Sequence, residues 1–189
     1  MPITFVQRNT WIMQKVLSLA FSLLIANFAF GQLKDAEVKW ISINDLETKQ
    51  KQEKRKVLVD VYTSWCGPCK MMLKNTFHNP EVVEYINKNY YAVKFNAEGN
   101  EVVKFKGYEW KNEDYDPNKP GRNSTHDLTL AIAPSQGRIA YPTIVYMDEE
   151  LNIIFPVQGY MQPAQIMPLL SYVESDAYKT QSYEEYKKD

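Results

Sequence analysis

Short apolar runs rich in β-branched residues recur along the chain and predict strands. The runs at 57–62 and 91–95 are compact, which is typical of strands buried on both faces, as in a parallel sheet. Further strands are expected at 37–41, 144–147 and 152–157. Because only the acidic turn at 148–150 separates the last two, we expect that pair to be antiparallel.

Caps and helical spacing predict helices between these strands. Asn44 or Asp45 can cap a charged helix through residue 54, and Asn79 followed by Pro80 starts another toward residue 87. Three more helices are expected, one opening at Cys66, one capped by Ser124 or Thr125 and running through Ala133, and one opened by Gln162 and Pro163.

The order of elements predicts an α/β fold with a central mixed β-sheet flanked by helices. Residues 99–123 interrupt the pattern, because they are polar and rich in turn-forming residues. We interpret them as an insertion before the strand that follows Pro142, with a hairpin near 102–110. The segment 176–189 is a polar C-terminal tail, which we expect to fray.

The N-terminus has the pattern of a secretory signal peptide. Arg8 and Lys15 precede an apolar stretch at 16–30, which is shorter than the roughly 20 residues that span a bilayer. Small residues then provide a cleavage site after Gly31. The start of translation is open between Met1 and Met13, since Met13 also leaves a short basic segment.

Cleavage there divides the chain into a signal peptide at 1–31, a domain at 32–175 and the tail. The expected location is periplasmic or secreted, with no stable membrane insertion after cleavage. The alternative is a protein anchored to the membrane by an uncleaved signal.

Composition excludes several classes of protein. The chain has 189 residues, 44% of them hydrophobic and 24% charged, which indicates one soluble globular domain. A net charge of −1 argues against a nucleic-acid-binding protein. Two cysteines and two histidines are too few for a structural zinc site or a disulfide framework. We expect no metal and no cofactor.

The two cysteines form the motif Cys66-Gly67-Pro68-Cys69, between a buried strand and a helix. The free N–H groups of a helix start favour an anion, so the thiol of Cys66 should be acidic. We therefore expect Cys66 to be the exposed attacking residue and Cys69, one turn deeper, to resolve the mixed disulfide. The alternative is a redox-inert pair of buried cysteines.

The segment 59–70 resembles the active-site stretch of thioredoxin. Tyr141-Pro142-Thr143 matches the cis-proline site of that family, and Gly159 fits a glycine common to its fold. The stretch 74–82 is more similar to the C-terminal domain of the bacterial thiol reductase DsbD and to related exported proteins. The resemblance covers about 37–175 apart from the insertion, and it implies a thioredoxin fold.

Two charged residues gain roles from this resemblance. Asp60 lies in an apolar strand, where burial should raise its pKa, and the matching acid in thioredoxins accepts the proton of the second cysteine, here Cys69. Lys94 matches a lysine that partners this acid. The alternatives are a strand-edge acid facing water and a solvent-exposed lysine.

The resemblance also implies a surface that binds substrate, made of Trp65, Gly67, Pro68, Tyr141, Pro142 and Thr143. A cis bond before Pro142 would leave the backbone of Tyr141 free to pair with a substrate segment. The alternatives are a trans proline that opens a strand and a Trp65 that only packs in the core.

Other candidates are weaker. His78 is interpreted as a helix-end residue and His126 as a residue at a helix start. Tyr108, Trp110 and Tyr115 lie among the charges of the insertion, which is either a lid that binds a partner or a packed surface loop.

These features together predict a thiol–disulfide oxidoreductase that acts on protein disulfides. The Gly-Pro pair between the cysteines resembles the reducing thioredoxins, so we favour a reductase fed by an upstream thiol donor such as a membrane thiol transporter. The alternatives are a disulfide oxidase or isomerase, and a protein-binding module with incidental redox activity.

Overall fold

A computed structural model describes residues 37–133 and 137–188. The predicted signal peptide at 1–31 lies outside the described residues. Within the described part of the chain, no helix has the length and apolar character needed to cross a membrane.

Among the described residues, five strands form one mixed sheet and two more form a separate hairpin. The strands are β1 (Trp40–Ile41), β2 (Lys56–Tyr62), β3 (Tyr90–Asn96), β4 (Val103–Phe105), β5 (Tyr108–Trp110), β6 (Thr143–Met147) and β7 (Ile153–Gln158). The sheet order is β1-β3-β2-β6-β7, with β1, β2 and β3 parallel and with β6 antiparallel to both β2 and β7. This mixed sheet confirms the predicted fold class and the antiparallel end.

Helices cover both faces of the sheet. They are α1 (Ile43–Gln52), α2 (Gly67–Asn75), α3 (Pro80–Asn89), α4 (Asp127–Ile132), α5 (Pro163–Glu174) and α6 (Tyr183–Tyr186). The predicted cap Asn79 is confirmed, because its side chain accepts the N–H groups of Glu81 and Val82. The cap predicted at Ser124 or Thr125 is wrong, since His126 caps α4.

The cap of α1 also differs from the prediction. Ser42 is the N-cap and its side chain accepts the N–H of Asn44. The side chain of Asn44 instead accepts the N–H of Lys104 at 2.8 Å and donates to the carbonyl of Val102 at 3.1 Å. Asn44 therefore fastens the hairpin to α1, a long-range contact that local sequence does not reveal.

The central strand β2 divides the core into two layers. Val57, Val59 and Val61 pack in the layer under α1 and α4, whereas Leu58 packs in the layer under α3 and α5. Because side chains alternate along a strand, Asp60 projects to the same face as Leu58. Each fully buried valine or leucine contributes roughly 1.5–3 kcal/mol, so this register is firmly set.

The insertion contains the predicted hairpin. Its turn consists of Lys106 and Gly107, both with positive φ, as the right-handed twist of a two-residue hairpin favours. Val103 and Phe105 are buried in the layer under α1 and α4. The hairpin is therefore packed onto the domain rather than projecting from it.

The C-terminal segment is folded, contrary to the expected fraying. A 3-10 turn at Ala177–Lys179 precedes α6, and the rings of Tyr183 and Tyr186 pack at a tilt against Tyr172 of α5, with ring centroids within 5.4 Å. Buried Lys56 pairs with Asp176 and also with Glu149. Tyrosine contacts and one buried cation thus hold a segment whose composition is polar.

Candidate active site

The two cysteines are joined at the start of α2. Cys66 is the N-cap of this helix, and the Cys66–Cys69 disulfide has a Cα–Cα distance of 5.3 Å. The backbone N–H of Cys69 points at the Sγ atom of Cys66 at 3.1 Å. In the reduced protein this N–H and the helix start would stabilise a thiolate at Cys66.

The expected difference in exposure between the cysteines is absent from this disulfide form. Cys66 is 2% exposed and Cys69 is 5% exposed. The Sγ atom of Cys66 is bonded to that of Cys69 and accepts the backbone N–H of Cys69. The two residues nevertheless border different openings, since Cys66 lines a groove beside Trp65 and Cys69 lines a smaller pocket with Asp60.

Asp60 is a buried acid behind the disulfide. It is 3% exposed on β2, and burial raises its pKa to about 7, while the positive charge of Lys94 opposes the rise. The pocket that Asp60 shares with Cys69 and Lys94 has a volume of about 190 Å³. Asp60 is therefore not an acid facing water at a strand edge.

Lys94 is half-buried beside this acid. It is the register neighbour of Asp60 on β3, and its Nζ atom lies 4.8 Å from the ring centroid of Tyr62 and 5.9 Å from that of Trp40. These aromatic faces favour a cation. The arrangement keeps a positive charge close to Asp60.

The loop before β6 lies next to Trp65. The Tyr141–Pro142 peptide bond is cis, and the Tyr141 ring meets the Trp65 ring edge-on at 6.0 Å. The carbonyl of Pro142 accepts the N–H of Gly159 at 2.8 Å. Gly159 has φ 102°, a conformation that other residues rarely adopt.

The other residues predicted to bind substrate are divided between surface and interior. Gly67 and Pro68 are exposed in the first turn of α2, whereas Thr143 is buried. The Oγ1 atom of Thr143 donates to the carbonyl of Ala140 at 2.6 Å. Thr143 therefore holds the loop in shape. Gly67, Pro68 and half-buried Tyr141 have surface that is exposed to solvent.

Sequence reasoning missed Glu98 and Arg122. The Oε2 atom of Glu98 accepts the indole N–H of Trp65 at 2.8 Å and the backbone N–H of Asn123 at 2.7 Å. The guanidinium carbon of Arg122 lies 4.2 Å from the ring centroid of Trp65. The end of the insertion is thus fastened to the active site through Trp65.

One signal could have located Glu98. It follows the end of β3, and Cys66 follows the end of the parallel strand β2. Polar residues just beyond the carboxyl ends of neighbouring parallel strands meet at one edge of the sheet. No comparable signal marks Arg122, which lies 56 residues from Cys66 in a polar segment.

The histidines and the aromatic residues of the hairpin have other contacts. His78 bonds through Nδ1 to the carbonyl of Leu73 at 2.6 Å, and buried His126 bonds to the carbonyl of Glu101 at 2.8 Å. The rings of Tyr108 and Trp110 lie against each other at 5.9 Å. Among the described residues, no group of three or more His, Cys, Asp or Glu is placed to hold a metal ion.

Comparisons with known proteins agree with this geometry. The chain is 27% identical over 151 residues to the thiol:disulfide interchange protein DsbD of Vibrio vulnificus, a match that covers 76% of this chain and 21% of that protein. The chain therefore spans about a fifth of the length of the curated relatives it matches.

Two solved structures show the same fold. A thioredoxin-fold protein from Helicobacter pylori superposes with a TM-score of 0.53 at 21% identity, covering 71% of this chain and 79% of that one. A thioredoxin from Thermus thermophilus superposes with a TM-score of 0.50 at 13% identity, covering 72% and 87%. The profile of the thioredoxin-like domain family matches residues 43–174. The chain therefore belongs to the thioredoxin-like domain family.

Proposed function

We propose that this protein is a reductase of protein disulfides that works outside the cytoplasm. The observation that carries the proposal is the Cys66–Cys69 pair at the start of α2 with the buried acid Asp60 behind it. One sulfur borders the groove where a client can lie, and the other borders a pocket with a proton acceptor.

The first step is attack of the Cys66 thiolate on a client disulfide. A bond forms between the Sγ atom of Cys66 and one client sulfur, the client S–S bond breaks, and the second client sulfur leaves as a thiolate that takes up a proton. The N–H of Cys69, which points at the Cys66 sulfur, stabilises the negative charge before the attack.

The second step resolves the mixed disulfide. Asp60 accepts the proton of the Cys69 thiol, and the resulting thiolate attacks the Sγ atom of Cys66. The Cys66–Cys69 disulfide forms and the client leaves as a second thiolate, which takes up a proton. Two electrons pass from the cysteine pair to the client, so an upstream thiol donor must then reduce the pair again.

Separate observations support the proposed direction and the proposed compartment. The Gly67-Pro68 pair between the cysteines is the dipeptide of the reducing thioredoxins, whose potential lies near about −270 mV. The similarity to a thiol:disulfide interchange protein supports a thiol electron donor, such as a membrane thiol transporter. The secretory pattern at 1–31 supports a periplasmic or secreted location.

Redox equilibration and client trapping test the proposal. Equilibration with glutathione should give a potential more negative than about −230 mV, and a value above about −200 mV would contradict a reductase. The Cys69→Ser variant should accumulate mixed disulfides with client proteins at Cys66. The matched Cys66→Ser variant should trap none, and equal trapping by both variants would overturn the assigned roles.

A further inference from the structure

A groove of about 540 Å³ opens beside Cys66, between two segments of chain. One wall is the end of the insertion, with Arg122 and Thr125, and the other is 137–141, with Arg138. Its volume lies within the range of ligand-binding pockets. A peptide segment in this groove would lie next to Cys66 and to both arginines.

Arg122 is held in place before any client arrives. Its guanidinium carbon is stacked 4.2 Å from the ring centroid of Trp65, and Trp65 is fixed by the hydrogen bond of its indole N–H to Glu98 at 2.8 Å. A stacked guanidinium keeps N–H donors free at its edge. Because Arg122 is already ordered, it loses less conformational entropy when it binds a carboxylate.

The charges around the groove favour an anion. Among the described residues that line it, two are arginines and Glu98 is the single carboxylate. The Oε2 atom of Glu98 already accepts the N–H groups of Trp65 and Asn123. The groove is therefore locally positive, although the chain has a net charge of −1. Local charge of this kind steers and selects oppositely charged partners.

We propose that the groove binds an acidic segment of a client protein beside the client's disulfide, with Arg122 and Arg138 as specificity-determining residues. This inference rests on the proposed reduction of protein disulfides at Cys66. A guanidinium binds a carboxylate through two parallel hydrogen bonds. Leu130, 56% exposed, also lines the groove and offers apolar contact, which a peptide side chain can use and a small inorganic anion cannot.

Two matched disulfide peptides test the groove. In one peptide aspartate flanks each cysteine, and in the other asparagine does, so that only charge differs. The reduced wild-type protein should reduce the acidic peptide about two- to fivefold faster, as expected for partly exposed charge pairs, and the ratio should fall toward one in about 1 M salt.

Variants then locate the charges that produce this ratio. Arg122→Gln and Arg138→Gln should each lower the ratio, and the double variant should bring it to about one. Arg122→Lys should retain part of the rate ratio, because lysine keeps the positive charge but lacks the planar guanidinium that stacks on Trp65. Lys119→Gln is the matched control, since it removes an exposed cation of the insertion that does not line the groove, and it should keep the wild-type ratio.

The outcomes separate the two proposals. Equal rates for both peptides with the wild-type protein, or a preference that survives in the double variant, would overturn the acidic groove while disulfide reduction stands. If the wild-type protein reduces neither peptide, disulfide reduction fails and the groove proposal fails with it.

Discussion

Asp60 and Lys94 lie side by side at the same register position of the parallel strands β2 and β3. Burial raises the pKa of the Asp60 carboxyl to about 7, and the charge of Lys94 keeps it from rising further. A buried acid with this pKa can gain and lose a proton at neutral pH. In the proposed mechanism, this pair sets the pH at which Cys69 can be deprotonated.

Replacing Asp60 should slow the resolving step. In the wild-type protein, release of a client from the mixed disulfide should rise with pH through about 7, as the carboxyl becomes a base. Asp60→Asn should lower this rate by roughly 100-fold near neutral pH. Rapid-quench measurement of client release checks this, with Asp114→Asn as a surface control. An unchanged rate in Asp60→Asn would rule out Asp60 as the proton acceptor.

Lys94 should set the midpoint of that pH profile. Without its charge the pKa of Asp60 rises above about 7, so Lys94→Met should move the midpoint to higher pH. Carbon-13 NMR of the labelled carboxyl measures the midpoint directly. Lys88→Met, which removes an exposed lysine of α3, should leave it in place, and equal shifts in the two variants would contradict a specific pairing.

Asp60 should also make stability depend on pH. Its pKa is raised from 3.8 to about 7 on folding, so the native state binds more protons than the unfolded state in this window and stability falls as pH rises through it. The full penalty above about pH 7 is roughly 4 kcal/mol. Asp60→Asn should recover roughly 2–4 kcal/mol at pH 8.5 and little at pH 4, as urea unfolding of the oxidised protein can show. A gain of equal size at both pH values would contradict this linkage.

Glu98 should act as a positioning residue for Trp65. Glu98→Ala removes the acceptor for the indole N–H of Trp65 and for the N–H of Asn123, which should cost roughly 1–3 kcal/mol of stability. It should also raise KM for disulfide substrates several-fold with little change in kcat. Glu98→Gln keeps an acceptor oxygen and should recover most of the KM. Glu113→Ala is the control in the insertion. A similar loss of stability and rise in KM in that variant would contradict the assignment of Glu98 as a positioning residue.

Lys56 should hold the C-terminal segment. Its Nζ atom bonds to Asp176 and to Glu149, and it also lies 5.2 Å from the ring centroid of Tyr178. Because Glu149 and Asp176 are partly exposed and stay hydrated without their partner, Lys56→Met should change the free energy of unfolding by less than roughly 2 kcal/mol. Loss of the anchor should nevertheless speed chymotrypsin cleavage after Tyr178. Lys54→Met, at an exposed pair, should be cleaved like the wild-type protein.

Local sequence predicted the elements whose signals are short-range. The apolar run of β2, the Cys66–Cys69 motif at a helix start and the Asn79-Pro80 cap all depend on residues within one or two turns. The order of these elements was enough to predict the mixed sheet.

Long-range contacts account for what sequence did not predict. Asn44 is held by the hairpin some 60 residues away, and Glu98 reaches back 33 residues to Trp65. The folded C-terminal segment depends on Lys56, which pairs with Asp176 across 120 residues. The tertiary structure determines these pairings, and the residues next to each partner in the sequence do not identify which residue it will contact.

The openings at Cys66 and Cys69 are separate, which would keep client binding apart from proton transfer. In the proposed mechanism the client binds in the groove at Cys66, while Cys69 and Asp60 share a separate pocket. The proton would therefore leave through the pocket at Cys69 rather than through the groove that the client occupies. Under this proposal, the rate of proton release would not depend on the size of the client that is bound at Cys66.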